Sequence, residues 1–262
     1  MIIETFKRYE TKYYLTETQY RALTGRIAPY TAPDPYCVDG KSYPLYNEYF
    51  DTPDHRILLN SLAKPYYKEK LRVRSYDPDP AEDGTVFFEL KKKIGGIVSK
   101  RRASLKRAEL TAFLETGKMP EEKDGEKGYV KTQVMREIAR FLSVNEEAAP
   151  VYYVAYDRVA LFARDDRNFR ITFDRNIRAK KKDGFSLSDD PDCISLLPEG
   201  MWLMETKIAS ALPLWLTSAL SELGIRQTSF SKVGRAFETF QTGVPSGEKI
   251  LKSLSGLPAY RQ

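Results

Sequence analysis

The segment Tyr66-Tyr-Lys-Glu-Lys-Leu-Arg-Val-Arg-Ser75 carries a cation at every second residue. In an extended strand successive side chains point to opposite faces. Lys68, Lys70, Arg72 and Arg74 therefore share one face, and Tyr67, Glu69, Leu71 and Val73 share the other. A face of four like charges either meets water or meets a polyanion, and a single strand does not decide between them.

The pattern recurs along the chain. Val86-Phe-Phe-Glu-Leu-Lys-Lys-Lys93 places Phe87, Glu89, Lys91 and Lys93 on one face. Phe169-Arg-Ile-Thr-Phe-Asp174 sets Arg170, Thr172 and Asp174 opposite Phe169, Ile171 and Phe173. Arg8, Glu10 and Lys12 alternate, Glu205 is in phase with Lys207, and Arg158 with Tyr156. Several strands thus pair an apolar face with a basic face carrying occasional carboxylates. Closing them into a barrel, with helices on the apolar face, encloses the charge, which only a polyanion or counter-charges make tolerable. Phosphates in a row suit the arrangement, with Arg binding as a fork and Lys as a point charge. Carboxylates on such a face make sense as holders of a divalent cation that bridges to phosphate oxygens. Glu205 beside Lys207 also reads as a simple cross-strand ion pair. Arg158 and Arg170 also read as surface caps for Asp157, Asp165 or Asp166.

The elements between these strands follow from local signals. Strands are expected over 6–14, 43–50, 66–76, 85–93, 97–105, 151–163, 169–174 and 202–208, with Gly95-Gly96 as a hairpin turn. Thr16-Glu-Thr-Gln19 has capping-box spacing and opens a helix that Pro29 ends. Further helices are expected over 56–63, 107–116, 130–142, 213–223 and 231–240, with Ser231 as an N-cap. Lys180-Lys-Lys182 reads as a solvated turn. The result is an α+β chain with one domain over 1–241 and a loosely held tail over 242–262.

The charge balance, +6 with a pI near 9.0, agrees with a polyanionic partner. His55 is the single histidine, which leaves little room for histidine-based zinc sites or Ser–His–Asp chemistry. It sits in the polar turn Asp51-Thr-Pro-Asp-His-Arg56 and is expected at a helix start on the surface. Cys37 and Cys193, without a CxxC pair, fit a reduced cytoplasmic protein. No apolar run approaches the roughly 20 residues of a membrane span, and Met1-Ile-Ile-Glu lacks a signal-peptide core.

From about Phe6 to Phe240 the chain resembles the VTC (vacuolar transporter chaperone) domain of polyphosphate polymerases, within the triphosphate tunnel metalloenzyme (CYTH-like) superfamily. The stretches that carry the resemblance are Lys7-Arg-Tyr-Glu-Thr-Lys-Tyr13, Tyr49-Phe-Asp-Thr-Pro-Asp54, Lys70-Leu-Arg-Val-Arg74, Phe88-Glu-Leu-Lys91, Tyr156-Asp-Arg158, Phe169-Arg-Ile-Thr-Phe-Asp174, Met204-Glu-Thr-Lys207 and Phe230-Ser-Lys232. The resemblance implies an eight-stranded antiparallel β-barrel, a basic tunnel with helices outside. It implies phosphate contacts from Lys12, Arg72, Arg74, Lys91, Arg158, Arg170, Ser231 and Lys232, with Lys70, Arg102 and Lys207 as further lining groups. Lys12, Arg72, Arg74, Arg158, Arg170 and Lys232 are the expected catalytic set. Glu205 matches the metal-binding glutamate, Glu10 and Glu89 are added as metal candidates, and Mn²⁺ or Mg²⁺ is the implied cofactor.

Two departures matter. Arg8-x-Glu10-x-Lys12 replaces the superfamily's Glu-x-Glu-x-Lys, which favours the polymerase-like branch, and Val233 stands where an aromatic is usual. In eukaryotic complexes an SPX domain and membrane segments surround this module. The chain carries neither, a membrane-protein partner is a candidate, and the oligomeric state is left open. The expected function is a metal-dependent polyphosphate polymerase, moving the terminal phosphoryl group of a nucleoside triphosphate such as ATP onto phosphate or polyphosphate. An inorganic triphosphatase and a non-catalytic polyphosphate- or nucleotide-binding module are the alternatives. Nucleic acid is not expected as a partner, because the aromatics alternate away from the basic face.

Overall fold

The computed structural model describes residues 9–37, 40–121, 125–182, 184–185, 187, 192–209 and 211–254. Lys7, Arg8 and residues 255–262 lie outside them. In chain order the elements are β1 (Tyr9–Thr16), α1 (Glu17–Ile27), β2 (Thr31–Pro33), β3 (Tyr43–Asp51), α2 (Arg56–Leu62), β4 (Tyr67–Ser75), β5 (Thr85–Ile94), β6 (Ile97–Lys106), α3 (Arg107–Thr116) and α4 (Glu126–Val144). They continue as β7 (Ala149–Ala163), β8 (Arg170–Lys181), β9 (Ile194–Ser195), β10 (Met201–Ile208), α5 (Leu214–Glu222), β11 (Gln227–Thr228), α6 (Lys232–Thr242) and α7 (Ser246–Leu254).

The chain divides into two compact units. The first comprises Met1–Pro44, Ala155–Ala179 and Cys193–Gln262; the second comprises Leu45–Val154 and Lys180–Asp192. The first unit carries the antiparallel strand order β11–β1–β10–β8–β7, with β2 added to β7 and β9 to β8. Thr16 opens α1 as the sequence predicts. Its hydroxyl accepts from the Gln19 amide at 3.2 Å, and the Gln19 side chain accepts from the Thr16 amide at 2.9 Å. The apolar face of β1, β8 and β10 buries Tyr13, Leu15, Ile171, Phe173, Trp202 and Met204 under α1 and α5. Each such side chain contributes about 1.5–3 kcal/mol through burial. Alternation then forces Glu10, Lys12, Glu205, Lys207, Arg170 and Asp174 onto the opposite face.

The second unit carries the order β3–β4–β5–β6. Gly95 (φ 54°) and Gly96 (φ 90°) form the tight β5–β6 turn, which needs positive φ at both positions. Leu71, Val73, Phe88, Leu90, Ala103 and Leu105 form the buried face of this ladder, and α2, α3 and α4 contact its strands. Phe88 meets Phe50 and Phe113 at ring separations of 5.5 and 6.2 Å. The other face of β4, β5 and β6 is the basic one.

The mixed helix-and-sheet architecture matches expectation, while the strand count and closure differ from an eight-stranded barrel. The sheet has eleven strands among the described residues. Eight are long; β2, β9 and β11 are short pieces of two or three residues that add to strand edges. Segments this short leave no alternation to read. Among the described residues β11 ends the ladder of the first unit and β6 that of the second.

Two local expectations are corrected. Lys180–Lys182 is not a solvated turn, because buried Ile177 and Ala179 carry β8 on to Lys181. The Lys182 amide then donates to the Val151 carbonyl at 2.8 Å, and its ammonium lies 4.8 Å from the Tyr153 ring centroid. His55 does start α2, in a left-handed conformation (φ 58°), but its side chain is only 16% exposed and sits 3.6 Å from the buried Asp51 carboxylate. Asp51 does the capping, accepting from the Thr52 and Ile57 amides at 3.0 Å. Past residue 242 the chain forms α7, whose Ile250 is buried. Among the described residues no helix is long and apolar enough to cross a membrane.

Candidate functional site

In the first unit the polar face is built by register. Glu10 pairs with Lys207 and Lys207 with Arg170; Lys12 pairs with Glu205 and Glu205 with Thr172. The Lys12 ammonium donates to the Phe230 carbonyl at 2.7 Å and lies 3.2 Å from Glu10 and 3.7 Å from Glu205. Glu205 also meets the Lys207 ammonium at 3.0 Å. Burial opposes ionisation of Glu205, but Lys207, Lys12, Lys232 and Arg158 outweigh it and hold its carboxyl well below the usual range.

A second cluster of the same unit centres on Asp174, which is fully buried. Arg158 grips it as a fork, Nε to Oδ1 at 2.6 Å and Nη2 to Oδ2 at 2.8 Å. Lys232, the first residue of α6, reaches the same Oδ2 at 2.6 Å. Both cations lie over the Tyr156 ring, at 5.2 Å for Arg158 and 4.5 Å for Lys232. Burial pushes Asp174 up; Arg158 and Lys232 reverse that and hold it ionised. Ser231 caps α6 by accepting from the Gly234 amide at 3.2 Å, as its sequence position predicts. Arg170 turns to Asp34 at 2.7 Å and to the Tyr43 hydroxyl at 3.3 Å. Surface capping of Asp157, Asp165 or Asp166 is therefore not the role of either arginine; Asn176 binds Asp157 instead, at 2.7 Å.

In the second unit the register lays the basic face out in rows. Asn47, Arg74 and Phe87 form one; Tyr49, Arg72, Glu89 and Arg102 the next; then Lys70, Lys91 and Lys100; then Lys68 and Lys93. Glu89, 1% exposed, is the only carboxylate in these rows. Arg72 donates to its Oε2 through Nε (2.8 Å) and Nη2 (2.7 Å), while Arg102 and Lys100 meet Oε1, each through a direct contact. Burial pushes Glu89 up; Arg72, Arg74, Lys100 and Arg102 overcome it and keep it ionised. Arg74, also buried, donates to Asn47 Oδ1 at 2.9 Å, and Arg72 to the Tyr49 hydroxyl at 2.8 Å. Lys70, Lys91 and Lys100 stand directly opposite one another. Two charged lysines in that relation, such as Lys70 and Lys91, destabilise each other, so the row gains from a bound anion.

Lys100 feels opposing influences. Its side chain is 39% exposed and 2.7 Å from Glu89, which favours the ammonium. Desolvation of the amine and the nearby Arg72, Arg74 and Arg102 guanidiniums act the other way and push it down to about 6. The folded chain therefore holds fewer protons than the unfolded chain between about 6 and 10.5, and Lys100 adds stability as pH rises through that window. A polyanion beside it reverses the effect. Inorganic triphosphate binding at pH 8 is expected to take up a proton, read by calorimetry in two buffers of different ionisation enthalpy. Equal heats in both buffers, or loss of the difference only on changing another residue than Lys100, would overturn that assignment.

Every candidate in the first unit (Lys12, Arg158, Arg170, Lys207, Ser231, Lys232, Glu10, Glu205) lies on the basic face or at the α6 N-terminus. In the second unit Lys70, Arg72, Arg74, Lys91, Arg102 and Glu89 share one face. Asp174, Asp34 and Lys100 complete these clusters and were not singled out from sequence. The in-phase position of Asp174 with Arg170, and of Lys100 with Arg102, is the signal that pointed to two of them. Asp34 has no such signal, since it lies in a loop after β2. Among the described residues no three His, Cys, Asp or Glu side chains group as a metal site. Glu10 and Glu205 converge on Lys12, and both oxygens of Glu205, like both of Glu89, meet cations.

No curated protein matches the chain. Among solved structures it is similar to a putative adenylate cyclase of Bacillus halodurans, with 14% identity, 86% of this chain and 95% of that one covered, and a TM-score of 0.47. It is similar also to a putative adenylyl cyclase of Hippeastrum described as having a dominant triphosphatase activity, with 18% identity, coverages of 89% and 95%, and a TM-score of 0.44. A Pyrococcus horikoshii protein matches at 11% identity over 88% of this chain and 99% of its own, with a TM-score of 0.41. The VTC domain family model matches residues 7–240, nearly the whole of the chain, and the protein belongs to that family.

Proposed function

We propose that the chain is a metal-dependent phosphotransferase that moves the terminal phosphoryl group of a nucleoside triphosphate onto phosphate or polyphosphate. The observation that carries this reading is the gathering of cations around buried, ionised carboxylates on one face of each unit's sheet. Buried carboxylates fix the guanidinium and ammonium groups before any substrate arrives, and preorganised charge is the main resource for phosphoryl transfer.

In this reading each unit's cations bind phosphate oxygens and stabilise charge on the transferred group and the leaving diphosphate: Arg158 and Lys232, held by Asp174, in the first, and Arg72, held by Glu89, in the second. Lys12, Arg170, Lys207 and Ser231 serve phosphates in the first unit, and Lys70, Arg74 and Lys91 in the second. The acceptor is itself a phosphate, so no strong general base is required, in keeping with a single histidine. The residues fit a divalent cation. Glu205 is ionised and, with Glu10, offers two carboxylates, as many as Mg²⁺ takes when substrate phosphates supply further ligands. Glu205 and Glu10 would hold the metal, which would supply positive charge to neutralise part of that on the phosphates.

Purified protein incubated with ATP and Mn²⁺ is expected to release ADP and build an acid-stable phosphate polymer. Release of neither sinks the reading, and phosphate release without chain growth replaces it by triphosphate hydrolysis. A VTC domain acting inside the cell beside a membrane-protein partner is the setting this reading implies.

A further inference from the structure

The basic face of the second unit is chemically polar along its length. β5 runs from Phe87 through Glu89 and Lys91 to Lys93, each step of two residues advancing about 6.7 Å. Toward the Lys93 end the paired positions carry the lysines Lys68, Lys70, Lys91 and Lys93. The Phe87 end is aromatic. Phe87 lies opposite Arg74, the Arg102 guanidinium sits 4.5 Å from its ring centroid, and Tyr76 meets its ring edge-on at 5.7 Å. Tyr76 follows β4 in phase with Arg72 and Arg74, and it is 37% exposed. Phe87 is half-buried, and the Arg102 side chain is 35% exposed.

Against the expectation that the aromatics alternate away from the basic face, both rings are on it rather than on the face under α2–α4, so a core role does not account for the pair. An inorganic phosphate chain has no use for them either. A nucleoside triphosphate matches the whole gradient, with an aromatic ring at one end and a polyanion at the other. Resting on the triphosphate-binding reading, we propose that Tyr76, Phe87 and Arg102 form the nucleobase platform. The base lies on the exposed Tyr76 ring and Arg102 plane, and the phosphates run past Glu89 toward Lys91. Aromatic rings and guanidinium planes both stack bases without needing a particular base identity. The platform therefore favours nucleotides over inorganic triphosphate without choosing among purines.

The test compares ATP and inorganic tripolyphosphate binding to the whole chain by calorimetry, for wild type, Tyr76→Ala, Tyr76→Phe and Phe87→Leu. Tyr76→Ala is expected to weaken ATP about tenfold, the scale of one lost stacking contact, with tripolyphosphate changed less than twofold and Tyr76→Phe close to wild type for both. Phe87→Leu, which keeps an apolar side chain under Arg102, is expected to weaken ATP selectively as well. Equal losses for both ligands, or none for either, overturn the platform and leave the triphosphate reading standing. Failure of wild type to bind tripolyphosphate removes that reading and the platform with it.

Discussion

Changing Asp174 to alanine is expected to lower unfolding stability by about 3–5 kcal/mol, because it strands two cations without a counter-charge in a buried site. Arg158 loses both hydrogen bonds of its fork, and Lys232 loses its 2.6 Å contact. Desolvation that the carboxylate now offsets would fall on Arg158 and Lys232 alone. Urea denaturation with circular dichroism measures the effect, and a loss below 1 kcal/mol would show that water or neighbouring groups replace the carboxylate. The pH dependence follows from the same cluster. Asp174 is held below its unfolded value, so its stabilisation is present above that value and drains away as pH falls through the folded one. Phosphate added to the variant is expected to restore part of the stability, because an anion takes the vacant place between Arg158 and Lys232.

The second large effect concerns Glu205. Glu205→Gln is expected to reduce Mn²⁺-dependent turnover of ATP by about 10²–10³-fold, the scale of losing one preorganised charge at a reacting group. The same change removes a negative charge between Lys12 and Lys207. Tripolyphosphate binding without metal is therefore expected to hold or tighten. This opposition distinguishes a metal-holding carboxylate from a structural one. A variant that keeps turnover within threefold of wild type, or that loses metal-free binding along with turnover, would remove Glu205 from the metal.

Much of this architecture was legible because a period of two is hard to disguise. The alternation over 68–74, 87–93 and 170–174 predicted which side chains share a face, and the observed registers agree at Arg72, Glu89 and Arg170. Capping chemistry at Thr16 and Ser231 was legible for the same reason, since both motifs are contained within four residues. Contacts between distant segments were not. Asp34 and Arg170 are 136 residues apart, and no local pattern marks Asp34 as the partner. Nor does alternation say whether a carboxylate among cations will take a metal or hold guanidinium groups. Glu89 and Glu205 look alike as sequence; only the three side chains packed on Glu89 and the Lys12–Glu10 contact beside Glu205 separate them.

Glu89 also constrains how this sequence can drift. One carboxylate serves Arg72, Lys100 and Arg102 together, so its energetic worth is shared three ways and does not divide into pairs. Loss of any single cation leaves the other two in place and is tolerable for folding. Loss of Glu89 is not repaired by removing one cation, because two still face each other across the strands. Substitutions here must therefore arrive in order, cations first and the glutamate last. In a library of random double variants, survivors lacking Glu89 should be rarer than those lacking any one of its three partners.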